Sequence, residues 1–170
     1  PELAQLLGVT DPVLSSRSIA ISYIGLAVGD LASGLLSQYF KSRKKVLYIF
    51  EALTILFLGL LFLTSQGQSS TYFYWLCFLI GTGAGFWAIF VTISAEQFGT
   101  NLRATVATTV PNLVRASLIL MNAVLFYLKP QWGLINSALI LGALVFILSI
   151  GAIFFIKETF GKDLNYLEQN

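Results

Sequence analysis

Apolar residues along this chain fall into five long blocks separated by short polar links. The blocks cover residues 18–40, 46–64, 72–95, 104–128 and 134–156. Each is close to the ~20 apolar residues a helix needs to cross the hydrocarbon core of a bilayer, so the pattern predicts five transmembrane helices. The links are KSRKK (41–45), SQGQSST (65–71), EQFGTNLR (96–103) and KPQWG (129–133). They are short enough to force neighbouring helices antiparallel. Residues 1–17 are mixed in polarity and unlike a signal peptide. With Pro1 in place of a methionine, they lead us to expect a piece of a longer polypeptide.

Composition supports the membrane reading. Of 170 residues, 56% are hydrophobic and 11% charged, against about 25% charged in a soluble domain. The net charge of +2 implies no polyanion-binding surface, so no nucleic-acid partner is expected. Cys77 is the sole cysteine and histidine is absent, which rules out an internal disulfide framework and a Cys/His metal site. No catalytic constellation stands out either: there is no histidine, no paired aspartates and no Ser/Lys dyad at helical spacing. The expectation is a non-enzyme without cofactor or metal.

Lys and Arg set the orientation. Seven of them (Lys41, Arg43, Lys44, Lys45, Arg103, Lys157 and Lys162) fall on one side of the five-helix array, and two (Arg17 and Lys129) on the other. The positive-inside rule makes the first side cytoplasmic. Residues 1–17 are then an extracytoplasmic loop, 18–157 the five-helix membrane region and 158–170 a cytoplasmic tail. The expected location is the plasma (inner) membrane, multi-pass, with the C-terminus in the cytoplasm.

The blocks differ in kind. The second and fifth are nearly pure hydrocarbon and read as lipid-facing. The first carries Gly25, Gly29, Ser33 and Ser37 at four-residue spacing, a ridge for close helix packing. The third contains GTGAGFW (81–87), whose glycines allow close approach or a bend; with no preceding strand it is not a nucleotide loop. In the fourth, Thr105, Thr108, Asn112, Arg115 and Asn122 share one helical face beside Pro111, which is expected to kink the helix. That face either lines a pathway or bonds to neighbouring helices.

Two charges lie deep in the spans. Asp30 is eleven residues above Lys41 and Arg115 twelve above Arg103, about 16 and 18 Å at 1.5 Å per residue. Unpaired, each costs roughly 2.5–3.5 kcal/mol on insertion scales. The expectation is that they pair with each other. Such a pair either meets substrate or a coupling proton, or is a static bridge between helices. Trp87, with Phe86 and Phe90, either stacks on a solute or packs. Glu51, about 9 Å into the second helix, is expected to pair with the KSRKK link.

Three stretches on the basic side resemble signatures of the major facilitator superfamily of transporters. GLLSQYFKSRKKVL (34–47) resembles G-x-x-x-D-R-x-G-R-R: Gly34 matches, Arg43, Lys44 and Lys45 supply the basic cluster, and Gln38 and Lys41 depart from the pattern. AEQFGTNLRAT (95–105) looks like E-x-F-P-T-x-x-R, with Glu96, Phe98, Thr100 and Arg103 matching and Gly99 replacing proline. KETFGKDLNYLEQ (157–169) is similar to P-E-T-K-G-x-x-L-E, with Lys157 for proline and Phe160 for lysine.

The resemblance implies an all-α membrane fold in which this chain is helices eight to twelve of twelve. That is a partial six-helix half whose partner is the missing N-terminal half of the same polypeptide. It implies transport of a small solute by alternating access, with proton coupling or symport common in the family. The alternative is a non-transporting membrane scaffold or receptor. Expected substrate or coupling-ion residues are Asp30, Trp87, Asn112 and Arg115. Expected members of a cytoplasmic charge cluster are Gly34, Arg43, Lys44, Lys45, Glu96, Arg103 and Glu158, with Arg43 and Arg103 pairing with Glu96 and Glu158. A plain positive-inside anchor is the other reading of that cluster.

Overall fold

A computed structural model describes residues 2–163, Asn165 and Leu167. Pro1 and, within the expected tail, Leu164, Tyr166, Glu168, Gln169 and Asn170 lie outside the described residues. Six helices follow in order: α1 (Glu2–Leu6), α2 (Ser15–Phe40), α3 (Arg43–Thr64), α4 (Ser70–Ala84), α5 (Trp87–Glu96) and α6 (Thr100–Phe155). No strand occurs among the described residues. Four stretches are long and apolar enough to cross a membrane: α2, α3, α4 with α5, and α6. This is the build of an all-α, membrane-embedded protein.

The most extensive contact is between α2 and α4, and glycine makes it possible. A Cβ on Gly25 would lie 2.1 Å from the Phe78 carbonyl oxygen, one on Gly29 2.2 Å from that of Thr82, and one on Gly81 2.1 Å from that of Ser22. Each distance is far inside van der Waals contact, so the two backbones touch directly. Ser33 and Ser37 continue the same buried face of α2. Gly83 does the equivalent toward α3, where a Cβ would lie 2.9 Å from the Thr54 nitrogen.

The third apolar block is not one helix. α4 stops at Ala84, Gly85 (φ −77°, ψ 62°) and Phe86 (φ −129°, ψ 21°) leave helical geometry, and α5 starts at Trp87. The Phe86 N–H reaches back to the Ala84 carbonyl at 2.9 Å, a tight three-residue turn. The bend falls where Gly85 meets α2: a Cβ there would lie 2.5 Å from Gly29 Cα.

At 56 residues, α6 would measure about 84 Å if straight, more than twice the ~30 Å hydrocarbon core. It is not straight. Gly133, at φ 74° and ψ 168°, is non-helical, in a region that only glycine adopts freely. Both ends of α6 lie on one face of the molecule: Thr100 follows Glu96, which bonds Arg43, and the Phe154 carbonyl accepts from Lys44 Nζ at 3.1 Å. The chain therefore turns back at Gly133. Near the turn, Lys129 pairs with Glu2 at 2.7 Å on the opposite face. Pro111, expected to kink this stretch, sits inside the helix and the break falls at Gly133 instead. A proline needs only a missing hydrogen bond, whereas Gly133 changes the chain direction.

The N-terminal segment, expected as an extracytoplasmic loop, packs as a cap on the helices. Ala4, Leu7 and Val13 are buried against Leu61, Phe73, Tyr74 and Leu76. The cap is tied to the α3–α4 link by Thr10 N–H to Gln68 O and Gly67 N–H to Gly8 O. At the basic end a second cluster joins Val46, Leu47 and Phe50 of α3 to Ile89 and Ile93 of α5 and Ile153 of α6. Large apolar side chains such as Leu63, Phe126 and Phe155 point outward, as expected where lipid replaces water.

Gly29→Ala should therefore lower thermal stability in detergent by about 1–3 kcal/mol, the usual range for forcing a methyl into a packed contact. Gly34→Ala, where a Cβ meets nothing within 4 Å, should be neutral or stabilise by up to about 1 kcal/mol through helix propensity. Equal melting temperatures for the two variants would refute the account of the α2–α4 contact.

Candidate functional site

Asp30 is one residue past the Gly29–Gly85 contact, so its side chain arrives at the start of α5. The first amides of a helix have no partner within it and carry its positive end. No side chain of the α5 N-cap residue Phe86 fills that role. Asp30 Oδ1 does, accepting from the Ala88 N–H at 3.2 Å. The carboxylate thus caps a neighbouring helix that the glycine break created.

The expected Asp30–Arg115 ion pair is not formed: the two ion pairs among the described residues are Arg43–Glu96 and Lys129–Glu2. The residues are nevertheless close in the fold, because both adjoin the α5 start. The Arg115 guanidinium lies over the Trp87 ring, 5.5 Å from its centroid, and its Nη1 donates to Asn112 Oδ1 at 3.2 Å. Trp87 is half-buried and packs on Phe90, while Asn112 and Arg115 are exposed. Depth along two helices carries no information on which way each side chain turns around its axis. Thr108, on the same face, returns its hydroxyl to the Ala104 and Thr105 carbonyls of its own helix.

At the basic end a second cluster is built on α3. Arg43 grips Glu96 with two parallel bonds, Nε to Oε2 and Nη2 to Oε1, both at 2.6 Å. This forked geometry is the strong form of a charge-assisted hydrogen bond. Thr159, 1% exposed, also donates its hydroxyl to Glu96 Oε2 at 2.6 Å. The Phe160 ring lies over the Arg43 guanidinium, 5.8 Å away; the lysine of the resembled pattern would repel there.

Glu158 does not pair with an arginine side chain as expected. It occupies the N-terminus of α3, accepting from the N–H groups of Arg43 (3.0 Å) and Lys44 (3.2 Å) and from the Ser42 hydroxyl. Ser42 is itself the N-cap, accepting from Lys45 N–H at 3.2 Å. Burial alone would raise the Glu158 carboxyl. The bonds from Ser42 and from the backbone of Phe160, Arg43 and Lys44 outweigh it and hold the group down at about 2. Arg103 donates to the Phe98 carbonyl at 3.3 Å.

Other expected members sit apart from the cluster's core. Gly34 faces open space, and its missing side chain serves no close contact. Lys41, where the resembled signature has glycine, takes the left-handed conformation that glycine favours, φ 49°. Glu51 turns inward: it is 3% exposed on the same buried face as Phe50 and Thr54, with no ion pair among the described residues and no hydrogen bond to Oε2. Of the link's cations, Arg43 is bound to Glu96 and Lys44 to the Phe154 carbonyl.

Sequence reasoning missed Ser42, Thr159 and Gln97, whose Nε2 donates to the Lys157 carbonyl at 2.8 Å. The serine was detectable, since a serine directly before an apolar helix is a capping signal. Thr159 falls on the threonine of the resembled P-E-T-K-G pattern, whereas no local pattern marks Gln97. No family model, curated protein or solved structure matches this chain.

The Glu158 carboxyl is lowered from an ordinary 4.5 to about 2, so folding favours its ionised form. Its contribution is present above pH 4.5 and disappears as pH falls from 4.5 through about 2. The tail should stay docked at pH 5 and detach progressively below 4.5, read by hydrogen exchange at Thr159 and Phe160. Glu158→Gln should detach it at neutral pH. Unchanged protection in that variant would contradict the cap.

Proposed function

We propose that this chain forms five membrane-spanning helices of one half of a secondary transporter of the major facilitator type, carrying a small solute by alternating access. The observation that carries the reading is the meeting of the three resembling stretches. Residues far apart in sequence (Arg43, Glu96 and Glu158 with Thr159) come together in one hydrogen-bonded cluster at one end of the helices. In this reading α6 counts as two spans joined at Gly133. The basic end is cytoplasmic, the bilayer is the plasma membrane, and the rest of the polypeptide supplies the opposing half. No chemical transformation is assigned to it.

Two features support the mechanism. Alternating access needs halves that rock about a site near the midplane, where broken helices present their ends. The α4–α5 break, with Asp30 at the freed amides and Arg115 beside Trp87, supplies a broken helix of that kind. It also needs a latch that holds one state. The Arg43–Glu96–Thr159 network joins α3, α5 and the segment after α6, so a movement of α5 relative to α3 must break it.

The test is uptake of labelled solutes by the full-length polypeptide in proteoliposomes. Arg43→Ala and Glu96→Ala should each fold yet shift the balance between the two access states on the order of tenfold, about 1.4 kcal/mol. The shift is read by labelling a cysteine placed at Thr108 from either side. Accessibility and transport identical to the parent in both variants would reduce the cluster to a membrane anchor. A scaffold would accumulate no solute at all.

A further inference from the structure

Arg115 carries a charge that the described residues leave without a counter-ion. Its Nη1 is bound to Asn112, whereas no carboxylate among the described residues lies within 4 Å of the guanidinium and its Nε and Nη2 edge makes no hydrogen bond there. Asp30, the acidic group at the same depth, is engaged by the α5 amide of Ala88. A guanidinium keeps its proton at any physiological pH. Within a membrane-spanning helix such a charge requires an anion or a water-filled cavity.

The surroundings restrict what that anion can be. Trp87 covers one face of the guanidinium, so a ligand meets it in the plane, along the Nε–Nη2 edge. Two parallel N–H donors on that edge match the two oxygens of a carboxylate. Asn112 holds the opposite corner and fixes the direction in which the edge points. The Trp87 ring offers an apolar surface next to the charge. At the basic end, a groove of about 510 Å³ between α5 and α6 is lined by Glu96 and Arg103 as well as by smaller residues, among them Val91 and Ala107. Ala107 lies eight residues, about 12 Å of helical rise, before Arg115.

We propose that Arg115, oriented by Asn112 and Trp87, binds the carboxylate of a small organic monoanion, which is the class of solute carried; the second clause rests on the transporter reading. Asp30 keeps the α5 N-terminus compensated, so the single positive charge of Arg115 selects one negative charge.

Equilibrium binding of radiolabelled acetate, lactate and phenylacetate to the full-length polypeptide in detergent tests this, with acetamide, lactamide and phenylacetamide as neutral competitors. At least one acid should bind saturably and its amide should compete at least tenfold more weakly. Arg115→Gln should weaken binding thirtyfold or more. Arg115→Lys, which keeps the charge and loses the fork, should weaken it at least fivefold. Asn112→Asp places a carboxylate beside the guanidinium; it should fold at least as well as the parent and abolish binding. Saturable binding by none of the acids, or binding that survives both Arg115→Gln and Asn112→Asp, overturns the proposal. Uptake of a neutral solute without acid binding also overturns it and leaves transport intact. Acid binding without uptake of any solute supports the site and removes the transporter reading.

Discussion

Where α2 passes α4, Gly29 and Gly85 bring two backbones together with no side chain between them, and the arrangement of the central helices depends on that contact. Close approach lets α4 end at the crossing. The end frees the amides of a new helix, α5, and the same contact delivers Asp30 to them. In hydrocarbon an unbonded amide has no water to turn to, so a break in a span persists only where another element supplies acceptors. A larger residue at Gly29 or Gly85 would separate the helices and leave both the amides and the carboxylate unsatisfied.

The basic end uses the same physical device. Glu158 stands at the start of α3 as Asp30 stands at the start of α5, each a carboxylate brought from a distant segment to a helix N-terminus. The two differ in surroundings. Glu158 shares its site with Ser42 and lies beside the part-buried Arg43–Glu96 fork, so the segment after α6, α3 and the end of α5 are locked into one unit. Asp30 faces the site where Trp87 and Arg115 meet. One carboxylate fastens an end of the bundle; the other maintains a discontinuity in its middle.

The first limb of α6 carries an exposed polar face. Asn112 and Arg115 are exposed there, on a face that a lipid chain cannot solvate. The second limb and α3 differ: α3 buries one face against its neighbours, including Glu51, and the second limb is exposed along apolar residues such as Ile147 and Phe155. The first limb also exposes large apolar residues such as Leu113 and Ile119, so its polar residues mark one face and not the whole limb.

Several features of this molecule are written in local sequence. Apolar run length defines the spans, four-residue spacing of small residues defines the packing ridge of α2, and the asymmetric basic links distinguish the two ends. Each depends on period, composition or count, which a chain carries without a fold. The KPQWG link likewise contains the glycine at which α6 reverses. Tertiary structure alone decided the partners. Asp30 and Arg115 lie at one depth by counting residues, yet Asp30 turns to an amide and Arg115 to an indole ring. Rise along a helix sets depth, while rotation about it is set by contacts such as Gly29 on Gly85. Glu158 found amides in place of a guanidinium because a helix N-terminus is an anion site only once the helix exists and a distant segment reaches it. Gly81 and Gly85 both touch α2, and the break falls at Gly85, where Asp30 is at hand to accept from the freed Ala88 amide.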